Sequence, residues 1–188
     1  MTRNHLADLE TAGLLLVSDS RFPSLANTIA GGPIHGSWWA HPASRKISEV
    51  LQNLSSHRDV LVVKLVEGKD TLVHRRVWPD LVGIAVSGEP WQFDQLSPPA
   101  RRLYERVIHD GLVEATGALT LELETRLLVR AEPFHGPSGA HRKRLEDWKR
   151  WAAANQVNFS VVDVHDAKLN LQVLCPEARF PWPRIAAR

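Results

Sequence analysis

Residues 60–75 constrain the fold more than any other stretch of this chain. Val60-Leu61-Val62-Val63-Lys64-Leu65-Val66 is rich in β-branched and aliphatic side chains, Glu67-Gly68-Lys69-Asp70 supplies a turn, and Thr71-Leu72-Val73-His74-Arg75 runs back. Two apolar runs joined by a glycine-bearing turn predict a β-hairpin. Helical patterns flank it. Residues 43–54 carry Ile47, Val50, Leu51 and Leu54 on one helical face, and Trp78-Pro79 opens a further helix to about Val86, with proline tolerated in the first turn. The chain is therefore read as α+β.

Earlier residues follow the same logic. Leu6, Leu9, Gly13 and Leu16 predict a helix over 4–16, Asp19 to Ser24 breaks it, and Ser24 caps a short helix to Ala30. Gly31-Gly32-Pro33 is a turn. Gly88-Glu89-Pro90 opens a linker ending at Leu96. It divides a helix-plus-hairpin module, 1–88, from a second module, 96–188, the two either separate or sharing one compact unit.

In the second module Ser97-Pro98-Pro99-Ala100 is a helix start, with Leu103, Tyr104, Val107 and Ile108 as the buried face and Asp110-Gly111 as the stop. A short extended run follows at 112–115, then a helix from Gly117 to about Leu127 and a strand at 128–132. A turn comes at Gly136-Pro137-Ser138-Gly139. Residues 142–144 either return as a strand or open the helix that carries Trp148 and Trp151. Val157 to Val164 reads as a strand, and 166–174 fits helix or strand equally. The Phe180-Pro181-Trp182-Pro183 tail is extended by its prolines.

Composition narrows the class. At 188 residues, 44% hydrophobic and 23% charged, the chain can build a full core and is not disordered over most of its length. No apolar run is long enough to cross a bilayer, and the N-terminus lacks the apolar region of a signal peptide, so no membrane partner is expected. The single cysteine, Cys175, rules out an intrachain disulfide, reads as a packing residue and fits a cytoplasmic setting. Charge is segregated. Residues 126–150 hold seven Lys or Arg against three acids, whereas 101–125 hold three Arg against five acids.

The order from Ser97 to Arg144 (helix, short strand, helix, strand, turn, basic return) resembles a winged helix. Leu121-Glu122-Leu123-Glu124-Thr125-Arg126-Leu127-Leu128-Val129 looks like the junction where the recognition helix of that fold runs into its wing. The resemblance implies a nucleic-acid-binding module whose β-hairpin lies on the backbone. A second resemblance lies in Trp38-Trp39-Ala40-His41-Pro42-Ala43-Ser44. It is similar to the Tyr-Trp-x-His-x-Ala-Ser stretch of bacterial winged-helix DNA glycosylases that unhook interstrand crosslinks. Gln92-Phe93-Asp94 has the form of their catalytic motif, although here it follows the Trp-His stretch, which it precedes in the family. This second resemblance implies a repair setting, with Gln92 and Asp94 positioning a water.

Three sets of candidate residues follow. Arg130, Arg142, Lys143, Arg144, Lys149 and Arg150 can neutralise phosphates, giving salt-dependent and largely sequence-independent affinity for DNA. Trp38 and Trp39 either pack between the two halves or offer an aromatic platform to a base. His35, His41, Glu132, His135 and His141 form a polar set capable of acid–base work or of simple hydrogen bonding. No metal and no cofactor is expected: the nine histidines show no Cys pair, HExxH or matched carboxylate spacing, and no phosphate-cradling glycine loop occurs. The leading function is DNA binding. The alternatives are a base-excising glycosylase, and a protein-interaction module built on the seven tryptophans and the Pro-Trp-Pro tail.

Overall fold

The computed structural model describes residues 4–135 and 141–185. The expected Gly136–Gly139 turn and the side chains of His135 and His141 lie outside the described part. Helices and small antiparallel sheets occur together, so the class is α+β. The chain forms two compact units, 1–78 with 171–179, and 79–170 with 180–188. Among the described residues no helix is long and apolar enough to cross a membrane.

In the first unit, α1 (His5–Ala12) begins at Asn4, whose side chain accepts the Ala7 amide at 3.3 Å. The helix expected to reach residue 16 stops four residues earlier. Gly13 turns to φ 81°, and β1 (Leu14–Leu16) pairs antiparallel with a later strand. The reason is burial: all three leucines of β1 are buried, which suits a covered strand better than a one-sided helix. Arg76 closes the end of α1, its guanidinium donating to the carbonyls of Glu10 at 2.6 Å and Thr11 at 2.9 Å. A Cβ at Gly13 would stand 2.5 Å from that guanidinium. Gly13→Ala is therefore expected to cost about 1–2 kcal/mol, from left-handed strain plus the displaced cap, read as a lower urea midpoint.

Next come α2 (Leu25–Ala30), capped by Ser24, a 3₁₀ turn at Trp38–Ala40, and α3 (Ser44–Ser55). The hairpin is β2 (Val60–Val66) and β3 (Lys69–His74), tighter than the sequence suggests because Glu67 and Gly68 alone turn it, both at positive φ. The sheet order is β1-β3-β2, all antiparallel, with Leu15 opposite Leu72 and Val62 opposite Leu72 from the other side. One core joins Leu9, Leu15, Leu25, Val50, Leu54 and Leu72, and a second holds Ala26, Ile34, Trp38 and Ile47.

The second unit begins inside α4 (Trp78–Ala85), at Pro79. Residues 88–96, expected as a linker between halves, belong wholly to this unit and contain a short helix, α5 (Pro90–Phe93). Glu89 and Gln92 form a reciprocal capping box around it, and Pro90 fills the first turn. Then come α6 (Pro98–Asp110), β4 (Leu112–Ala115), α7 (Ala118–Thr125), β5 (Arg130–His135), β6 (His141–Glu146) and α8 (Trp148–Ala154). Ser97 caps α6, and Glu122 of α7 in turn accepts the Ser97 amide at 2.7 Å and hydroxyl at 2.8 Å. Those bonds hold the Glu122 carboxyl below its ordinary pKa. The three strands pair antiparallel in the order β4-β6-β5 around a core of Leu103, Val107, Val113, Leu123, Val129 and Leu145.

The strand expected at 157–164 does not form. Asn158 bonds back to the amide and hydroxyl of Ser160, Val162 turns onto the Phe159 carbonyl, and Val161 is 85% exposed. Local side-chain bonds form here in place of a ladder, and no strand among the described residues pairs with this stretch. The ambiguous stretch after it is helix, α9 (Val164–Leu174). Trp182 in the tail is buried, stacked on Phe180 with ring centroids 4.8 Å apart and edge-on to Trp91.

Candidate nucleic-acid interface

Strand β6 decides what the basic segment can do. Successive side chains of a strand face opposite sides, so Arg142 and Arg144 share one face while Lys143 and Leu145 share the other. Register sets Glu114 opposite Arg144 on one flank and Glu132 opposite it on the other. Arg142 accordingly pairs with Glu114 at 3.3 Å, and Arg144 reaches the same carboxylate at 4.0 Å while its guanidinium lies 4.6 Å from the Phe134 ring centroid. Lys143 turns toward α7 and donates to both oxygens of Glu124, at 2.8 and 2.6 Å. Arg130 on β5 pairs with Glu132 at 3.2 Å and Glu146 at 3.4 Å and sits over Trp151. All four strand cations thus have carboxylate partners within the sheet or from α7. Arg142 and Arg144 stay half exposed, but a phosphate must compete with Glu114 for them.

The helices present a different picture. On α6, Ala100, Leu103 and Val107 turn inward, leaving Arg102 and Arg106 exposed four residues apart. On α8, Trp148, Trp151 and Ala152 are buried, so Lys149 and Arg150 face outward. None of these four cations has a carboxylate partner for its side chain among the described residues. Both α8 cations adjoin α6. The Arg150 guanidinium rests on Gly111 at the end of α6, where a Cβ would be 1.7 Å from Nη1, and only glycine leaves that room. A shallow depression is lined by Arg102, Glu105, Arg106, His109 and Asp110. Glu105 and His109 also line a deeper cavity that reaches Lys149.

That cavity, about 540 Å³, is walled by Phe93, Tyr104, Ile108, Leu128 and Trp148, with Glu105, His109, Asp147 and Lys149 among its polar residues. Burial, assisted by the charge of Asp147, pushes the Tyr104 phenol up. Gln92 contributes to the wall but is fully buried, and its amide is saturated. Nε2 donates to the carbonyls of Ala85 at 2.9 Å and Arg126 at 3.4 Å, and Oε1 accepts from the Glu89 amide at 3.0 Å and the Ser87 hydroxyl at 3.3 Å. Asp94 points elsewhere: it is exposed, does not line the cavity, and uses its backbone carbonyl to accept Arg126 at 2.7 Å. The structure therefore does not bring Gln92 and Asp94 together around a water, and it leaves Gln92 no free polar group with which to hold one.

The remaining candidates are scattered. Trp38 and Trp39 stack with centroids 3.8 Å apart in the first unit; Trp38 is core, whereas Trp39 is 66% exposed. His41 accepts the Ala43 amide on Nδ1 at 3.1 Å, beside the start of α3, and His35 is exposed. Glu132 is the ion-pair partner of Arg130. Among the described residues no group of three or more His, Cys, Asp or Glu is arranged to hold a metal ion. Arg102 and Arg106 escape a reading of the sequence by charge, because segment 101–125 is net acidic. The signal is there as an i, i+4 arginine pair on the exposed stripe of an amphipathic helix. Compared with family models, with curated proteins and with solved structures, the chain finds no match in any of the three.

Proposed function

We propose that the chain binds nucleic acid, with DNA as its partner, through the α6–α8 face of the second unit. One observation carries the reading: two adjoining helices present four exposed cations, Arg102, Arg106, Lys149 and Arg150, without carboxylate partners among the described residues. Ammonium and guanidinium groups free of internal pairing can exchange water for phosphate without first breaking an ion pair, whereas the strand cations cannot. The helix–strand–helix–hairpin order and the β4-β6-β5 sheet are in keeping with a winged-helix-like module. In this reading the wing's cations brace the sheet and the helices meet the phosphates.

The test compares two variants by fluorescence anisotropy on a labelled duplex. With about four phosphates neutralised, raising salt from roughly 50 to 200 mM should weaken the parent protein about a hundredfold. Replacing Arg102, Arg106, Lys149 and Arg150 with alanine should flatten that salt slope by about one for each phosphate no longer neutralised, and weaken all sequences alike. Replacing Arg142, Lys143 and Arg144 should change the slope less and lower stability instead. Equal slopes for the parent and the four-residue variant would remove this face from the account.

A further inference from the structure

The cavity beside the cationic face has features that phosphate binding does not use. Its volume, about 540 Å³, lies within the range of small-molecule sites, and three aromatic side chains, Phe93, Tyr104 and Trp148, contribute to one wall system. Phe93 and Tyr104 meet edge to face at 5.7 Å, which fixes the planes of both rings. Trp148 is 1% exposed, yet its indole Nε1–H has no hydrogen-bond acceptor among the described residues. A buried donor left without an acceptor is costly, so a bound group that supplies one recovers that penalty. The Tyr104 hydroxyl and the Lys149 ammonium add donors with no protein partner among the described residues, and Glu105 and Asp147 add acceptors. Rings for stacking, together with donors and acceptors, suit a flat ring system with a polar edge better than a lipid tail or a sugar. At the mouth, Ile108 is exposed and apolar, and Glu105 and His109 are shared with the depression that holds Arg102 and Arg106.

We propose that this cavity binds a planar nitrogen heteroaromatic of the nucleobase class, stacked among Phe93, Tyr104 and Trp148, with a ring acceptor taking the Trp148 N–H. Two sources share that chemistry: a free nucleoside, and an unstacked base of a bound strand. Only the second rests on the function proposed above. In that case Arg102, Arg106 and Lys149 stand where the flanking phosphates pass.

The experiment uses the full chain. Adenosine and cytidine are titrated by ligand-observed NMR, and two labelled duplexes, one fully paired and one with a single unpaired base, are compared by anisotropy. Saturable nucleoside binding is expected, abolished by Ile108→Trp, which fills the mouth from an exposed position, and weakened about tenfold by Trp148→Phe, which keeps a ring but removes the donor. Thermal melts of both variants confirm that the fold persists. A preference of about tenfold or more for the unpaired-base duplex, lost in Ile108→Trp, identifies the strand as the source. Nucleoside binding with equal affinity for both duplexes identifies a free heterocycle. Paired-duplex binding reads the phosphate face by itself, so its failure leaves the cavity standing. No nucleoside binding together with equal duplex affinities overturns the proposal.

Discussion

Replacing Asp19 with alanine is expected to remove about 2–4 kcal/mol from the stability of the first unit. Its side chain is 2% exposed and accepts three bonds: the amides of Arg21 at 2.7 Å and Phe22 at 3.1 Å, and the Lys69 ammonium at 2.5 Å. Alanine leaves both amides orphaned where water barely reaches, while Lys69, more exposed, keeps Glu67 at 3.2 Å. Chemical unfolding followed by tryptophan fluorescence measures the loss. A cost below about 1 kcal/mol, the worth of an ordinary surface pair, would show that this carboxylate does not organise the loop.

The same cluster sets a pH dependence. Burial works to raise the Asp19 pKa, but the hydrogen bonds from Lys69, Arg21 and Phe22 outweigh it, and the carboxyl is held below its ordinary value. Burial is likewise outweighed at Glu67, by Lys69 and Arg21, and at Glu89, by Lys168 and Trp91. A group whose folded pKa is depressed stabilises the fold above its unfolded pKa. That stability goes as pH falls through the folded value. Loss should therefore begin below about pH 4.5 and deepen on further acidification. Asp19→Asn, which keeps an oxygen for the two amides but no charge, should flatten the acid limb for the first unit. At the alkaline end Lys69, raised chiefly by its bond to Asp19, keeps its contribution until pH passes the ordinary lysine range. The Cys175 thiol is pushed up by burial and by the charges of Asp19, Glu67 and Glu177, which suits a packing cysteine better than a nucleophile.

Gln92→Leu is the second large effect, about 2–4 kcal/mol on the second unit. Leucine matches the shape but strands the Ala85 carbonyl and the Glu89 amide, both satisfied by the Gln92 side chain in the native fold. The damage should spread along α5, because Arg126 holds the same short helix through the carbonyls of Trp91 at 3.0 Å and Asp94 at 2.7 Å. Asp94→Asn, on an exposed side chain, should change stability by less than about 0.5 kcal/mol. Differential scanning calorimetry of the pair distinguishes the two positions. Equal and small effects would mean that the amide network is not what secures the turn between α4 and α6.

Local chemistry is what the sequence by itself determined. Ser97 with Pro98-Pro99 starts α6 and Gly111 stops it, Ser24 caps α2, and the 60–75 hairpin forms, because each signal acts within a turn or two of backbone. Periodicity likewise fixed the buried face of α3 and turned Leu103 and Val107 of α6 inward, but Ile108, expected on that same face, is 48% exposed. What failed was decided by neighbours far along the chain. Residues 14–16 became strand because β3 pairs with them, and 157–164 did not become strand because no strand among the described residues pairs with them. The basic run at 142–144 looks free in one dimension, yet Glu114 and Glu124 stand 18 to 30 positions upstream, and only the register of β4 with β6 and the position of α7 bring them onto those cations. The unpaired charge moved to Arg102 and Arg106, within a segment whose acids outnumber its bases, because helix geometry points Glu122 and Glu124 toward Ser97 and Lys143 instead. Charge counted along the chain ignores where side chains point; the tertiary fold decides which charges cancel and which meet solvent.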